Sequence, residues 1–261
     1  MSSKTVLVKC KLFTLNHDKI TLSGKIFRPY NKDTESEIIT QLPCILFVHQ
    51  WSKMGGAGQL MDGMARYMTQ MNYISMTFDM RGTGNSTGQC TWTCHDEVKD
   101  VKFVSEYLYK ITNKPIILIG SSAGAPTAGS VIDYNNYILS GIFIGYTFGF
   151  WSSVLFGGHY NSIINSIKPK LFIMGDSDEF TSVKQLNKYI KKMKGNVNKS
   201  IIVPNVGHFG LEGPSFDTTI VKYAHEFIQK YSINDIKIWY KNNNNNNNNI
   251  KNNNDESKNN E

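Results

Sequence analysis

The chain has 261 residues, of which 40% are apolar, 12% aromatic and 19% charged, and these proportions exclude collagen-like and wholly disordered classes. A length near 250 residues suits one α/β domain with a sizeable core. The formal charge is +7, but the final 21 residues add nothing to it, since three lysines there face three acids. The other lysines are spread out, apart from KYIKKMK at 188–194, which reads as one solvated helix face, so no nucleic-acid partner is expected. Four cysteines (10, 44, 90 and 94) are too few for a disulfide scaffold, and MSSKTVLVKCKLF has no apolar signal core. A reducing, cytoplasmic setting is expected, and nothing in the chain specifies an oligomeric state.

In chain order, KCKLFTLNHDKITLSGKIFRP reads as an antiparallel hairpin at a sheet edge. Short aliphatic runs then recur as buried strands: CILFV from 44, YISMTF from 73, PIILIG from 115, ILSGIFI from 138, LFIMG from 171 and SIIVP from 200. Helical stripes separate most of them. Leu60, Met61, Met64, Ala65 and Met68 share one face, as do Val98, Val101, Val104 and Leu108, then Val183, Leu186, Ile190 and Met193, and last Phe216, Ile220, Tyr223 and Phe227. Strand and helix in alternation predict a doubly wound, mostly parallel sheet with helices on both faces.

Two segments stand apart. From 134 to 167 there is no Asp, Glu, Lys or Arg, and ILSGIFIGYTFGFWSSVLFGG is 21 residues long, enough to span a bilayer by length alone. It contains five glycines and four Ser/Thr residues, and its apolar residues fall in two short runs, so a buried strand followed by an apolar loop is expected. Peripheral contact with a lipid surface is the membrane reading that stays open. Thirteen of the last 21 residues are asparagine, which cannot bury enough apolar surface to offset ordering entropy. The expected organisation is a folded domain over 1–233 and a disordered tail over 234–261.

Reactive groups in open α/β sheets collect at the carboxyl ends of strands. IILIGSSAGAPTAG runs a strand through G-S-S-A-G into a helix, placing Ser122 in the tight turn between Gly120 and Gly124. A serine hydroxyl is a poor nucleophile without a histidine base and a carboxylate to orient it. D-S-D-E-F follows the strand LFIMG, and N-V-G-H-F follows SIIVP, so Asp178 and His208 reach two later strand ends in the order Ser, Asp, His. Asp176, Asp178 and Glu179 share one turn, and all three could approach an imidazole. Asp178 is the chosen acid, with Asp176 capping the turn. Backbone donors for an oxyanion would come from Ala123, after the nucleophile, and from Trp51 in the loop HQWSKMGGAG, where His49 holds the loop.

At these residues the chain resembles the α/β-hydrolases, over roughly positions 5 to 231. The pieces that match are the His49 loop with Gly55 and Gly56, FDMRGTGNSTG at 78–88, the elbow GSSAG, the turn GDSDEF and the terminal GHF. Within that fold the likeness is to small lidless serine hydrolases of the dienelactone-hydrolase and acyl-thioesterase kind. The resemblance implies Ser122 as nucleophile, Asp178 as acid, His208 as base and the amides of Trp51 and Ala123 as oxyanion donors. Gln50 departs from the commoner His-Gly pair and bears on the second donor. Asp79, Arg81, Gly82, Gly84 and Gly88 read as structural. Cys90, Cys94 and His95 lack a second ligand pair, so no metal is expected.

The expected function is hydrolysis of a carboxylic ester or thioester of a small-molecule or acylated substrate, without a cofactor. About 25 residues separate the strand near 140 from that near 171, too few for a cap domain. Phe148, Phe150, Trp151, Leu155 and Phe156 are expected to line an open apolar cleft, unless they pack on the sheet instead. A non-catalytic binding or scaffolding module on the same fold is the rival reading.

Overall fold

The computed structural model describes residues 6–243. Strands β1 (Val6–His17) and β2 (Ile20–Asn31) form the expected hairpin, paired from Val6↔Asn31 to His17↔Ile20. The remaining strands are β3 (Ser36–Glu37), β4 (Cys44–Val48), β5 (Ile74–Phe78), β6 (Ile116–Ser121), β7 (Ile138–Ile144), β8 (Lys170–Gly175) and β9 (Asn198–Val203). The sheet order is β1-β2-β5-β4-β6-β7-β8-β9, with β3 on β2; β2 joins β5 antiparallel, and every pairing from β5 to β9 is parallel.

The central strands are apolar on both faces, and alternate residues feed two cores. Leu46, Val48, Ile116 and Leu118 face one core with Val101, Val104 and Leu108 of α2 (Glu97–Thr112) and Ala125 and Ala128 of α3 (Gly124–Gly129). Ile45, Phe47, Ile117 and Ile119 face the other, against Met64, Ala65 and Met68 of α1 (Asp62–Gln70) and Ile220, Val221 and Ala224 of a later helix over Asp217–Phe227. Between β7 and β8 lie the short helices α4 (Phe150–Phe156) and α5 (Tyr160–Asn165), joined by a 3-10 turn over Gly157–His159, with no cap domain. The chain continues through α6 (Val183–Ile190), α7 (His208–Leu211) and the Asp217–Phe227 helix, α8.

Ordered helix extends beyond the boundary expected at 233. A π-helical turn over Ile228–Ser232 leads into helix that continues to 243. Ile236 and Trp239 are buried, Trp239 packs edge-on against Tyr109 of α2, and the Lys114 ammonium meets the Tyr240 hydroxyl at 3.3 Å. Apolar residues at i, i+3 and i+4 thus carry the helix over the core before the asparagine run dominates. Residues 244–261, with most of that run, lie outside the described residues. Among the described residues no helix is long and apolar enough to cross a membrane.

Candidate active site

Ser122 sits where β6 turns into α3, with φ +53° in the left-handed region that side chains with a Cβ rarely adopt. Its amide donates to the Ile144 carbonyl at 2.9 Å, which ties the turn to β7. The elbow depends on Gly124, where a Cβ would lie 2.1 Å from the His49 carbonyl oxygen. Only a residue without a side chain lets α3 start this close to the end of β4.

Asp178 follows β8. Its Oδ1 accepts the amides of Phe180 and Thr181 at 2.9 and 2.8 Å, and its Oδ2 lies 2.6 Å from Nδ1 of His208. His208 opens α7, and its Nε2 lies 2.8 Å from Ser122 Oγ. With Nδ1–H donated to the carboxylate, Nε2 is left to accept the serine hydroxyl. Both the imidazole and the Asp178 carboxylate are almost wholly buried. Two neighbours fix the ring. The Glu179 carboxylate accepts the His208 amide at 2.8 Å, and Gly145, at φ +57°, leaves room that a Cβ would fill 2.9 Å from His208 Cε1. Asp176 accepts the Asn205 amide at 2.9 Å and closes its own turn, as expected for a cap.

His49 is fully buried; Met80 N–H donates to its Nε2 at 3.0 Å, so its Nδ1–H donates to the Gln50 carbonyl at 2.7 Å. Burial pushes its pKa down to about 4, and it stands neutral as a brace for the loop that carries Gln50 and Trp51. Among the described residues the amides of Trp51 and Ala123 have no protein acceptor. Both residues line the cavity above Ser122.

That cavity encloses about 640 Å³ of space open to solvent, and its walls are mainly apolar: Trp51, Met54, Trp151, Leu155, Phe156 and Phe209. Two of the aromatics expected there are elsewhere. Phe148 is buried and stacked between Tyr146 and Tyr189, with ring centroids 4.0 and 4.2 Å away, so it belongs to the core. Phe150 is 71% exposed and turned to solvent at the start of α4. A strand-end position does not reveal which way a side chain leaves the turn, and here aromatics two positions apart go to the core and to solvent. Phe180, Phe209 and Glu212 also line the cavity and were not anticipated. Glu212 is four residues after His208 on the same helical turn, a spacing that could have drawn attention to it.

The segment after β5 is a brace. Arg81 grips buried Asp100 with its guanidinium at 2.6 and 3.0 Å and its own amide at 2.9 Å, while Asp79 accepts the amides of Gly58 and Asn85. Removing either partner of such a buried pair costs about 3–5 kcal/mol. Cys90, Cys94 and His95 do not converge with a further ligand, and among the described residues no group of three or more His, Cys, Asp or Glu side chains is placed to hold a metal ion.

Comparison with known proteins gives the fold. No protein-family model matches the sequence, and no curated protein matches it. Solved structures do. An α/β serine hydrolase homologue from Coxiella burnetii aligns with a TM-score of 0.66 at 19% identity, over 84% of this chain and 96% of that one. A serine hydrolase without a lid from Xanthomonas campestris aligns with 0.66 at 17% identity over 85% and 94%, and an esterase from Pyrococcus furiosus with 0.66 at 18% over 86% and 93%. The architecture is therefore that of the α/β-hydrolases, in its small form without a lid.

Proposed function

We propose that this protein is a serine hydrolase that cleaves carboxylic esters or thioesters through an acyl-enzyme on Ser122. The observation that carries the reading is the unbroken chain from Ser122 Oγ to His208 Nε2 and from His208 Nδ1 to Asp178, opening on an apolar cavity. In the first half-reaction Ser122 Oγ attacks the carbonyl carbon while its proton passes to His208 Nε2. Asp178 holds the imidazolium, and the amides of Trp51 and Ala123 receive the charge on the carbonyl oxygen, where each donor is worth on the order of 10²–10³ in rate. The tetrahedral intermediate expels the alcohol or thiol, which leaves with the proton from His208. Water then attacks the acyl group, gives its proton to His208, and Ser122 departs with that proton to restore the resting state. No cofactor enters any step. The solved neighbours, a serine hydrolase and an esterase among them, support the same chemistry.

A fluorophosphonate probe tests the assignment. The parent protein is expected to be labelled at Ser122 and to hydrolyse activated esters, and Ser122→Ala to lose both. A folded parent that takes no label would instead favour a binding module without catalysis.

A further inference from the structure

We propose that the ester or thioester taken by this site carries an ammonium group, which Glu212 and the aromatic wall of the cavity recognise together. The inference rests on the hydrolase reading and deepens it to a substrate class. Glu212 Oε1 lies 3.7 Å from His208 Nε2 and accepts the Ser121 hydroxyl at 3.2 Å, so this carboxylate sits in the cavity wall beside the nucleophile. Its side chain is only 13% exposed, and burial pushes its carboxyl up from the ordinary range. Such a group gains from any cation that enters and repels any anion.

The charges around it point one way. Asp178 binds the far side of His208, and Glu179 holds the His208 amide. Lys53 lies over the Trp92 ring, 5.2 Å from its centroid, and does not line the cavity. Among the described residues no lysine or arginine lines it at all. No lysine or arginine in the wall therefore offsets Glu212.

The other half of the site is aromatic. Trp51, Phe156 and Phe180 line the same space together with the largely exposed Trp151 and Phe209 (82% and 56%), with Trp51 packed edge-on to Phe156 at 5.5 Å and Phe180 edge-on to Phe209 at 5.7 Å. Ring faces attract a desolvated ammonium through their quadrupoles, tryptophan most strongly, and quaternary ammonium groups are commonly bound in this way. A neutral alkyl group of equal size fills the same walls but gains nothing from the carboxylate or from the ring charge distribution. Carboxylate and rings together therefore distinguish a cationic ester from its uncharged isostere, and exclude an ester bearing a carboxylate or phosphate.

The test compares an acylcholine with the 3,3-dimethylbutyl ester of the same acid, which replaces nitrogen by carbon, at pH 8. The parent is expected to favour the cation by about 10-fold or more in kcat/KM, chiefly through KM. Glu212→Gln and Trp151→Ala, the latter at a solvent-exposed position, should each lower that ratio several-fold. Glu212 also faces the imidazole, so absolute rates will change, but the ratio cancels any effect common to both esters. Should the Gln variant not fold, the parent ratio still decides. A parent ratio near one, or a ratio that survives both substitutions, overturns the inference while fluorophosphonate labelling of Ser122 keeps the hydrolase reading intact. A folded parent that neither labels nor hydrolyses the neutral ester removes both.

Discussion

Two serine–histidine pairs occupy this molecule with almost the same separation: Ser122 Oγ is 2.8 Å from His208 Nε2, and Ser130 Oγ is 2.7 Å from His159 Nδ1. Their second nitrogens differ. His208 points Nδ1 at the Asp178 carboxylate at 2.6 Å, whereas His159 points Nε2 at the Thr93 carbonyl at 2.6 Å. A carbonyl fixes a neutral tautomer and has no full charge to hold an imidazolium; burial pushes the His159 pKa down. The serines differ as well, since Ser122 stands at φ +53° beneath the cavity and Ser130 continues the helical backbone at the end of α3 with φ −69°. A hydroxyl–imidazole contact is thus a common structural tie. The carboxylate, the strained turn and the open space above it set the first pair apart from the second.

Substitution at the two histidines should break this comparison most sharply. His208→Ala is expected to lower kcat for an activated ester by about 10⁵–10⁶-fold, and His159→Ala by less than about 3-fold. The latter should instead cost roughly 1–3 kcal/mol in urea unfolding, because it leaves the Ser130 hydroxyl and Thr93 carbonyl without their partner. Equal kinetic losses would show that both pairs serve the reaction. Next in size, Asp178→Asn keeps the shape of the triad but removes the charge and reverses the imidazole tautomer, and kcat should fall by about 10⁴-fold. Retention of most activity would transfer the acid's role to Glu179 or Glu212.

The smallest effect sharpens the contrast with a third buried histidine. The folded pKa of His49 lies near 4, below its ordinary 6.5, so above about pH 6.5 both folded and unfolded chains hold it neutral. As pH falls below 6.5 the unfolded chain takes up the proton first, and the stabilising contribution declines until the folded site protonates near pH 4. The advantage of the parent over His49→Asn should accordingly shrink by about 3 kcal/mol between pH 6.5 and 4, read from paired urea titrations. A constant gap would mean that His49 titrates freely.

Much of this was written in local patterns. Aliphatic runs and helical stripes located β4 to β9 and the main helices, because a strand buried on both faces has to be apolar throughout and a helix on a sheet has to carry one apolar face. GSSAG announced the elbow, since close approach of helix and strand demands glycine at a definite offset. The cavity wall was less legible. Phe148, Phe150 and Trp151 are neighbours in one uncharged segment, yet they end in the core, in solvent and at the cavity, depending on how the chain rotates as it enters α4. Ile236 and Trp239 likewise looked like the start of a polar tail until the core they cover was in view.

By itself the sequence determined which residues form the layers and which strand ends bear a hydroxyl, a carboxylate and an imidazole, because periodicity and turn chemistry act over a few neighbouring residues. Only the tertiary structure decided that Ser122, Asp178 and His208 meet while Ser130 and His159 meet elsewhere, and that Glu212 joins the first group. Those contacts link positions up to 91 apart in the chain, as Ser121 and Glu212 are. Their directions follow from sheet order and from the rotation of each turn, which no local pattern encodes.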